Sequence, residues 1–441
     1  MRILGTDEAR TGRERAILVG LEWKGRSGAG RTNPRAAEES LEELAELAAS
    51  AGADIVDTMM QTRQAPEAAT LIGQGKVEEV AAAVLSDGAD VVIFDHDLTP
   101  TQQRNLERAT DAKIIDRTQL ILDIFAARAR TREGRLQVEL AQLNYLLPRL
   151  TGRGAEMSRL GGGIGTRGPG ETQLETDRRR IARRIKKIED DLEGVRAGRA
   201  LHRRRRGAVP LATLALAGYT NAGKSTLFNR LTRAGVLADS RMFATLDPTV
   251  RPLTLPSRRR VLLSDTVGFI RNLPTTLVKA FRATLEEVTD AGIVLHVVDA
   301  SSPAAVEHTG HVLKVLAEIG AAEIPQILVM NKMDRLPEPQ SDPAALGRRL
   351  LGDCSDQPPV RAVRISALTG AGIDELLTAM DDALRLDPVV KTTLRLPVAD
   401  GAALAMLHEF GRVLETRYLE DGTEVDVEVE IPESVSRRFR V

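Results

Sequence analysis

A nine-residue segment near the middle of the chain, GYTNAGKST (Gly218–Thr226), constrains the fold more than any other feature of the sequence. It matches the phosphate-loop pattern, follows the apolar run LATLALA and precedes the helix-like run KSTLFNRLTRAG. A glycine-rich turn between a buried strand and a helix lets backbone N–H groups and the positive end of the helix converge on phosphate oxygens. The segment therefore predicts a nucleotide-binding domain built on a parallel sheet.

The side chains of this loop suit different parts of a bound nucleoside triphosphate. Lys224 is expected to reach the β- and γ-phosphates and to act in catalysis, and the hydroxyl of Ser225 is expected to bind Mg²⁺. The loop residues expected to contact the nucleotide are Gly218, Tyr219, Thr220, Asn221, Ala222, Gly223, Lys224, Ser225 and Thr226.

Three shorter motifs follow in the order expected of a guanine-nucleotide site, each after a predicted strand. In LLSDTVGF, the carboxylate of Asp265 is expected to bind in the coordination shell of the Mg²⁺ ion. The N–H group of Gly268 is expected to donate a hydrogen bond to the γ-phosphate. In ILVMNKMD, the carboxylate of Asp334 can accept two hydrogen bonds from the Watson–Crick edge of guanine, which adenine cannot supply. The order and the strand context together favour GTP over ATP.

The other residues of these motifs have supporting roles. Asn331 is expected to contact the base or to tie down the phosphate loop, and the stem of Lys332 is expected to cover the ring. In RISALTG, the backbone of Ser366 and Ala367 can hydrogen-bond to the guanine carbonyl. The residues of the three motifs expected at the nucleotide are Asp265, Thr266, Val267, Gly268, Asn331, Lys332, Met333, Asp334, Ser366, Ala367 and Leu368.

The segment MFATLDPTV lies between the phosphate loop and Asp265, where a nucleotide-responsive switch belongs. Thr245 is the expected source of the hydroxyl that joins Mg²⁺ when the γ-phosphate is present, and Thr249 is the alternative. Lys224, Thr245 and Gly268 are thus the expected catalytic residues, and Ser225, Thr245 and Asp265 the expected metal ligands. The switch residues expected near the nucleotide are Phe243, Ala244, Thr245, Leu246 and Asp247.

Phe269 follows DTVG directly, where many GTPases carry the glutamine that orients the attacking water. A phenylalanine neither donates nor accepts a hydrogen bond. Hydrolysis is therefore expected to be slow in the isolated protein and to need a group supplied from elsewhere. The alternative is that Phe269 merely packs beneath the switch, and both statements can hold.

The remaining sequence predicts an α/β protein of four parts. Strand-like and helix-like runs alternate through residues 1–130, which predicts a parallel sheet covered by helices. Residues 131–207 are expected to form a helical hairpin arm, and residues 208–387 a doubly wound, mostly parallel sheet that carries the phosphate loop. Residues 388–441 predict a small α+β domain, in which Asp421 and Gly422 form a hairpin turn.

The arm is the one strongly cationic part of a chain whose formal net charge is −1. Residues 126–206 contain 21 Lys and Arg against 10 Asp and Glu, a local charge of +11. Such a segment usually meets phosphate, and the alternative is a solvated helix surface with scattered salt bridges. The glycine-rich loop 158–173 is expected at the tip of the hairpin, and HRRRRGAVP is expected to close the arm as a linker.

Apolar residues at heptad spacing predict the seam between the two helices of the arm. They are Leu136, Leu140, Leu143 and Leu147 in the first helix and Leu174, Ile181, Ile185, Ile188, Leu192 and Val195 in the second.

Composition narrows the setting in which this chain works. Its single cysteine, Cys354, excludes an internal disulfide framework and fits a reducing compartment. The N-terminus lacks the apolar region of a secretory signal, and no apolar run approaches the roughly 20 residues that span a bilayer. We expect a cytoplasmic, monomeric protein without membrane contact.

Together these motifs resemble the HflX family of translational-class GTPases. The resemblance rests on GYTNAGKST, FATLDPT, DTVGFI, NKMD and SA, and above all on the upstream string GGGIGTRGPGETQLETDRR. It covers nearly the whole chain, and the C-terminal part is the least diagnostic. The family pattern of a hydrophobic residue in place of the catalytic glutamine matches Phe269.

The resemblance implies a hydrolase that uses GTP and Mg²⁺, binds the large ribosomal subunit and splits stalled or idle ribosomes. It implies that the arm reaches ribosomal RNA near the peptidyl-transferase region, while ribosomal proteins near the GTPase-stimulating site accelerate hydrolysis. Arg153, Arg159 and Arg167 are the expected RNA contacts. The aromatic content of 3% disfavours base stacking and leaves recognition of shape and phosphate.

Two other functions fit the same residues. One is a ribosome assembly or occupancy factor that binds RNA and uses hydrolysis only to time its release. The other is an RNA-remodelling ATPase that acts through the N-terminal part, where LIGQGKVEEV invites a second nucleotide site but is too short for a phosphate loop. A cluster at a predicted strand end, Asp95, His96 and Asp97, is expected to be a polar strand terminus rather than a metal site.

Overall fold

The structure is a computed structural model of the 441-residue chain. It describes residues 13–23, 34–150, 169–207, 212–233, 242–243, 245–271, 282–336, 347, 350, 361–384, 389–398, 401, 403, 407, 412–419 and 423–432. The chain divides into two compact units, each assembled from separate stretches of sequence. The first is Met1–Glu193, Leu237–Asp247 and Ile270–Thr284, and the second is Gly194–Val236, Pro248–Phe269 and Leu285–Val441.

The first unit contains the predicted N-terminal parallel sheet, with four strands in the order β2-β1-β3-β4. Its central strands are buried along almost their whole length, as expected when helices cover both faces of a parallel sheet. The strands are β1 (Arg15–Trp23), β2 (Asp54–Arg63), β3 (Val91–Phe94) and β4 (Lys113–Asp116). The helices are α1 (Pro34–Ala51), α2 (Gln74–Asp87), α3 (Pro100–Thr110) and α4 (Arg117–Arg128).

Two further helices follow, α5 (Arg132–Leu146) and α6 (Pro169–Gly207), with a turn of 3₁₀ helix after α5 at Leu147–Leu150. At 39 residues, α6 is about 60 Å long at 1.5 Å per residue. It begins inside the predicted tip loop and continues to Gly207, so the prediction of a linker from His202 was wrong. Arginine favours helix, and the first strong helix breakers after this run are Gly207 and Pro210.

The predicted seam is found on α6 but not in the expected form on α5. Along α6, Ile188 and Leu192 are buried and the other described seam residues are partly covered. On α5, the seam leucines are only half-buried, whereas Val138 and Ala141 on another face are buried. Helix α5 packs against α4. A heptad pattern cannot reveal which of two apolar faces has the closer neighbour.

The second unit contains a six-stranded sheet in the order β10-β9-β8-β5-β7-β6, in which all neighbours are parallel except β7 and β6. Its strands are β5 (Thr213–Gly218), β6 (Thr249–Thr254), β7 (Arg260–Asp265), β8 (Ile293–Asp299), β9 (Gln326–Asn331) and β10 (Arg361–Arg364). The helices that follow are α7 (Lys224–Thr232), α8 (Arg282–Thr289), α9 (Ala305–Glu318) and α10 (Ile373–Leu384). The five parallel strands are those predicted. Strand order reverses around β5, and such a switch point is where open α/β sheets bind ligands.

The antiparallel strand β6 was not predicted. Its sequence, TVRPLT, has a proline at its centre, Pro252, which lacks a backbone N–H group and breaks the apolar run. The strand is tolerated because it lies at the edge of the sheet, where one side of its backbone needs no partner strand.

The C-terminal part forms a three-stranded antiparallel sheet in the order β11-β13-β12. The strands are β11 (Val389–Pro397), β12 (Arg412–Tyr418) and β13 (Glu424–Pro432). Every second residue of β13 is buried: Val425, Val427, Val429 and Ile431. Strands β12 and β13 pair as a hairpin, and the turn residues Asp421 and Gly422 lie outside the described residues.

Within the described residues, no helix combines the length and the apolar character needed to cross a bilayer.

Candidate guanine-nucleotide site

The phosphate loop connects the end of the central strand β5 to the start of α7. Its backbone takes left-handed conformations at Asn221, with φ of 59°, and at Gly223, with φ of 93°. A Cβ atom at Gly223 would lie 2.3 Å from Nδ2 of Asn331. Glycine is therefore required at this position both by the backbone angle and by the neighbouring side chain.

The side chain of Lys224 is buried beneath the loop that it is expected to serve. Its ammonium group donates hydrogen bonds to the carbonyl oxygens of Gly218 (3.0 Å) and Tyr219 (2.7 Å). Burial lowers the pKa of Lys224 to about 8, and the carboxylate of Asp265 opposes that effect. Phosphate oxygens carry negative charge and bind ammonium more strongly than carbonyls do. We therefore expect a bound nucleotide to raise the pKa of Lys224 again.

Two of the predicted metal ligands lie side by side. The hydroxyl of Ser225 donates to Oδ2 of Asp265 at 2.8 Å, and Asp265 is fully buried at the end of β7. Mg²⁺ binds oxygen ligands and usually takes only one or two of them from the protein, the rest being phosphate oxygens and water. A hydroxyl and a carboxylate beside a phosphate loop fit that requirement. The residues present are thus suited to hold Mg²⁺ between protein and nucleotide.

The DTVGF motif passes directly against the phosphate loop. A Cβ atom at Gly268 would lie 3.0 Å from Nζ of Lys224 and 3.0 Å from Cα of Thr220. The next residue, Phe269, forms a parallel bridge with Tyr219, through its N–H group to Gly218 (3.1 Å) and its carbonyl to Thr220 (2.7 Å). The Phe269 side chain is only 2% exposed. It is a packing residue here, in accord with one of the two roles considered from sequence.

Asn331 joins the phosphate loop to the predicted base-recognition loop. Its Nδ2 donates to the carbonyl of Ala222 at 2.8 Å, and its Oδ1 accepts from the N–H group of Ala367 at 2.9 Å. The side chain is 2% exposed, so its polar atoms act between protein segments. Of the two roles considered from sequence, this geometry favours tying down the loop.

The base-recognition residues are held by a second set of polar contacts. The hydroxyl of Ser366 donates to Oδ1 of Asp334 at 2.6 Å, which orients the carboxylate expected to read guanine. Lys332 has φ of 63° and pairs with Asp299 at 2.7 Å. Arg230 of α7 donates to the carbonyl oxygens of the SAL motif.

Two histidines near the loop were not predicted. His308 of α9 stacks on Tyr219 with ring centroids 3.9 Å apart and planes 10° from parallel. His296 of β8 is 1% exposed and pairs in register with Ala217 of β5. Both lie far from the loop in sequence, and neither belongs to a local motif. Only the pairing of the strands and the packing of α9 brings them close.

The switch segment belongs to the first unit, whereas the phosphate loop, Ser225 and Asp265 belong to the second. The ring of Phe243 packs on Phe125, and the carboxylate of Asp247 accepts hydrogen bonds around Thr131. These two side chains, predicted to lie near the nucleotide, therefore have partners in the N-terminal unit. Thr245 and Leu246 are buried, and Ala244 lies outside the described residues. The role of Thr245 as a metal ligand stays a prediction.

The alternative metal ligand, Thr249, is the first residue of β6 and pairs in register with Asp265. Its backbone is thus part of the sheet ladder. The sheet register places the backbone of Thr249 beside that of Asp265, and the choice between Thr245 and Thr249 as the metal ligand stays a prediction.

Comparison with known proteins identifies the family. The chain is 47% identical to the GTPase HflX of Caldanaerobacter subterraneus subsp. tengcongensis, over 96% of this chain and 92% of that protein. It is 46% identical to the GTPase HflX of Escherichia coli, over 89% of this chain and 90% of that protein. This protein belongs to the HflX family of GTPases.

Matches to family domains divide the HflX chain in a consistent way. The N-terminal and middle regions of GTP-binding GTPases match residues 38–126 and 128–206. The family described as 50S ribosome-binding GTPase matches residues 213–332, and the GTP-binding domain of elongation factor Tu matches residues 281–385. A crystal structure of a GTP-binding protein from Sulfolobus solfataricus with GDP is 23% identical, with a TM-score of 0.45, over 85% of this chain and 99% of that one.

As an HflX GTPase, the protein binds GTP with Mg²⁺ and hydrolyses it. Bound Mg²⁺ would neutralise charge that develops on the phosphates, held by Ser225 and Asp265. The Lys224 ammonium group and the N–H groups of the loop supply fixed positive charge at the same place. Because Phe269 is buried and apolar, it cannot orient the attacking water.

The predicted RNA contacts Arg153, Arg159 and Arg167 of this HflX protein lie outside the described residues. Beyond them, α6 carries an uninterrupted cationic stretch in which seven of the ten residues 178–187 are Lys or Arg and none is acidic. All seven are exposed: Arg178, Arg179, Arg180, Arg183, Arg184, Lys186 and Lys187. Sequence reasoning placed this stretch in the arm but did not single out its residues.

Proposed function

We propose that this HflX GTPase binds the large ribosomal subunit and, in its GTP-bound state, separates stalled or idle ribosomes into subunits. It acts in the cytoplasm as a monomer. Its arm contacts ribosomal RNA near the peptidyl-transferase region, and ribosomal proteins near the GTPase-stimulating site accelerate hydrolysis. The observation that carries the proposal is the exposed cationic stretch of α6.

Helix α6 has the properties of a phosphate-binding element. Its seven exposed basic side chains fall within about three turns and cover the faces of the helix outside its apolar seam. Three of them already have acidic partners, since Arg179 pairs with Glu175 at 2.7 Å, Arg184 with Glu139 at 2.7 Å and Lys186 with Asp190 at 3.2 Å. Exposed pairs of this kind contribute little to stability, so the fold alone does not account for so dense a charge. Phosphate groups of a folded RNA are a matching partner.

The predicted tip of the arm adds to that surface. Arg153, Arg159 and Arg167 precede α6 in a glycine-rich segment, where the backbone can approach RNA closely. We propose that these three arginines contact ribosomal RNA and that the contact is weakened by salt through release of counterions. Replacing all three by alanine is expected to weaken ribosome binding and to leave intrinsic GTP hydrolysis nearly normal.

The GTPase centre indicates that fast GTP hydrolysis needs a partner. Phe269 takes the position at which many GTPases have a water-orienting glutamine, and its side chain is buried. A group from the ribosome, or a rearranged switch, is then required for fast hydrolysis. The match of residues 213–332 to the family described as 50S ribosome-binding GTPase supports the ribosome as that partner.

Sedimentation of purified ribosomes tests the proposal. Intact ribosomes are mixed with the protein and a non-hydrolysable GTP analogue and are then separated on a density gradient. Free subunits, with protein on the large one, are expected. The Lys224→Ala variant is the control, because it removes the nucleotide dependence without touching the arm.

Two other outcomes would contradict the proposal in different ways. Intact ribosomes that carry the protein would indicate an occupancy or assembly factor, in which hydrolysis only times release. Ribosomes that neither bind the protein nor stimulate its GTP hydrolysis would remove the ribosome as the partner.

A further inference from the structure

The switch segment is anchored to the N-terminal unit by contacts that no sequence motif suggests. The rings of Phe243 and Phe125 meet edge to face, with centroids 4.6 Å apart and planes at 73°. The N–H group of Met242 donates to the hydroxyl of Ser50 at 3.0 Å. Met242 and Phe243 are both buried. The segment thus packs on helices α1 and α4 of the N-terminal unit.

The strongest of these contacts is made by Asp247 at the start of α5. Its Oδ2 accepts hydrogen bonds from the N–H groups of Arg130 and Thr131, both at 2.9 Å. Its Oδ1 accepts from the hydroxyl of Thr131 at 2.5 Å. That hydroxyl caps α5 by accepting from the N–H group of Gly134 at 3.0 Å. A carboxylate of the switch segment therefore reinforces the cap of the first helix of the arm.

Gly134 provides a second, independent indication that this contact is built into the fold. A Cβ atom there would lie 2.4 Å from Oδ1 of Asp247 and 3.1 Å from Oγ1 of Thr131. Glycine in a helix is less favourable than alanine, so its position in the first turn of α5 needs a local reason. The close approach of Asp247 supplies that reason.

The short chain between Thr245 and Asp247 links the position of Asp247 to movements of Thr245. Only Leu246 separates the two residues, and a chain extends at most about 3.5 Å per residue. A hydrogen bond is lost once its heavy atoms separate by more than about 3.5 Å. A movement of Thr245 toward Mg²⁺ and the γ-phosphate that exceeds the slack of this short link would therefore pull Asp247 away from α5.

We propose that Asp247 is a positioning residue that couples the nucleotide to the arm. With GDP, Asp247 stays on the cap of α5; with GTP and Mg²⁺, Thr245 engages the nucleotide and Asp247 leaves the cap. The N-terminus of α5 is then loosened, and the change reaches the arm at its first helix. The inference rests on the proposed role of residues 243–247 as a nucleotide-responsive switch, and it does not depend on the ribosome.

Hydrogen–deuterium exchange on the full chain without ribosomes tests this coupling. Exchange is followed at residues 130–135 with GDP and with a non-hydrolysable GTP analogue, both with Mg²⁺. In the native protein, amides at the start of α5 are expected to exchange faster with the analogue than with GDP. In Asp247→Asn and Gly134→Ala, they are expected to exchange at the faster rate with both nucleotides, so the dependence on nucleotide is lost.

The matched control is Gly75→Ala, because Gly75 lies in a helix with nothing within 4 Å of an added Cβ atom. This variant is expected to keep the nucleotide dependence. A native protein whose α5 amides respond equally to both nucleotides, while residues 218–226 are protected by either one, would overturn the proposal. A nucleotide-dependent difference that survives in Gly134→Ala would overturn the role of Asp247. If Gly134→Ala fails to fold, the native comparison and Asp247→Asn still decide.

These results are independent of the proposed ribosomal function. Loss of ribosome binding would leave the exchange difference in place, and loss of the exchange difference would leave ribosome binding in place.

Discussion

At the scale of single residues, Asn331 illustrates how much of the site depends on side chains that never touch the chemistry. Its amide bridges the carbonyl of Ala222 and the N–H group of Ala367, so one buried side chain holds two ligand-binding loops together. The same Nδ2 atom excludes a Cβ atom at Gly223. The motif NKMD predicted that Asn331 matters but left its partner open. Folding supplied the partner, because β5 and β9 both flank β8.

Replacing Gly223 by alanine is the sharpest test of the loop. The new methyl group would meet Nδ2 of Asn331 at 2.3 Å, in a backbone conformation with φ of 93° that alanine rarely adopts. We expect affinity for GTP to fall at least about tenfold, which corresponds to about 1.4 kcal/mol. Titration with a fluorescent GTP analogue measures the change, and Gly75→Ala is the control. Unchanged affinity would mean that the loop relaxes around the methyl group.

Asp334 is predicted to select the base, and a single substitution tests that role. Asp334→Asn replaces one of the two acceptor oxygens of the side chain by an NH₂ donor. One hydrogen bond from guanine is therefore lost, and the new amide N–H group faces an N–H group of the base. Hydrogen bonds to charged groups contribute about 1.5–3 kcal/mol, so GTP affinity should fall about 10- to 100-fold. Xanthosine triphosphate offers an acceptor at that position and should bind the variant better than the native protein. Competition between the two nucleotides gives the answer, and an unchanged preference for GTP would exclude Asp334 as the base-reading residue.

At the scale of elements, the errors of sequence reasoning have a common physical origin. Edge strand β6 was missed because Pro252 interrupts its pattern, and the C-terminal part of α6 was taken for a linker because its residues are nearly all arginine. The residues of both elements can adopt the observed strand or helix, but neither sequence has the apolar periodicity that would predict it. The buried strands β5, β7, β8 and β9 were predicted, because their apolar runs arise directly from burial on both faces of a sheet.

The cationic stretch of α6 gives the prediction at this scale. Replacing Arg178, Arg180 and Arg183 by alanine removes three exposed charges from a helix where alanine is well tolerated. We expect ribosome binding to weaken and its dependence on salt to become less steep, because fewer counterions are released on binding. Binding is measured by co-sedimentation over a series of salt concentrations.

A charge-matched control for this variant lies on the C-terminal sheet. Lys391, Arg395 and Arg417 are also exposed, and their replacement by alanine removes the same number of charges. If both variants lose the same affinity with the same salt dependence, the effect is one of overall charge and not of α6.

At the scale of the whole molecule, the chain crosses between the two compact units within the segments expected to respond to nucleotide. One crossing lies between Asp247 and Pro248, just after the switch segment, and another between Phe269 and Ile270, just after DTVG. Segments predicted to bind the γ-phosphate are thus covalently continuous with both units.

Stability of the whole molecule should depend on pH through His296. Burial, assisted by the charge of Lys224, lowers the pKa of His296 to about 4, against 6.5 for an exposed histidine. Below pH 6.5 the unfolded chain binds a proton at this residue while the folded chain does not, so stability is present above pH 6.5 and is lost as the pH falls toward 4. The full effect is about 3 kcal/mol.

Thermal unfolding at pH 7 and pH 5 measures this effect when the native protein is compared with His296→Leu. The variant cannot bind the proton, so its melting temperature should fall less between the two pH values than that of the native protein. Other titrating groups are shared by the two proteins and cancel in the comparison. Equal falls would mean that His296 is protonated in the folded state.

By itself, the sequence predicted the α/β class, the parallel strands of both sheets and the motifs expected at the nucleotide. Those features are local, since apolar runs record burial and the loops need particular residues at fixed spacing. Tertiary structure alone decided that Asn331 ties two loops together, that His308 stacks on Tyr219 and that Asp247 binds the N-cap residue of α5. The pairs Asn331–Ala222, His308–Tyr219 and Asp247–Thr131 lie about 90 or more positions apart. The spacing of residues along the sequence does not predict such pairs, because they are brought together only when separate elements pack.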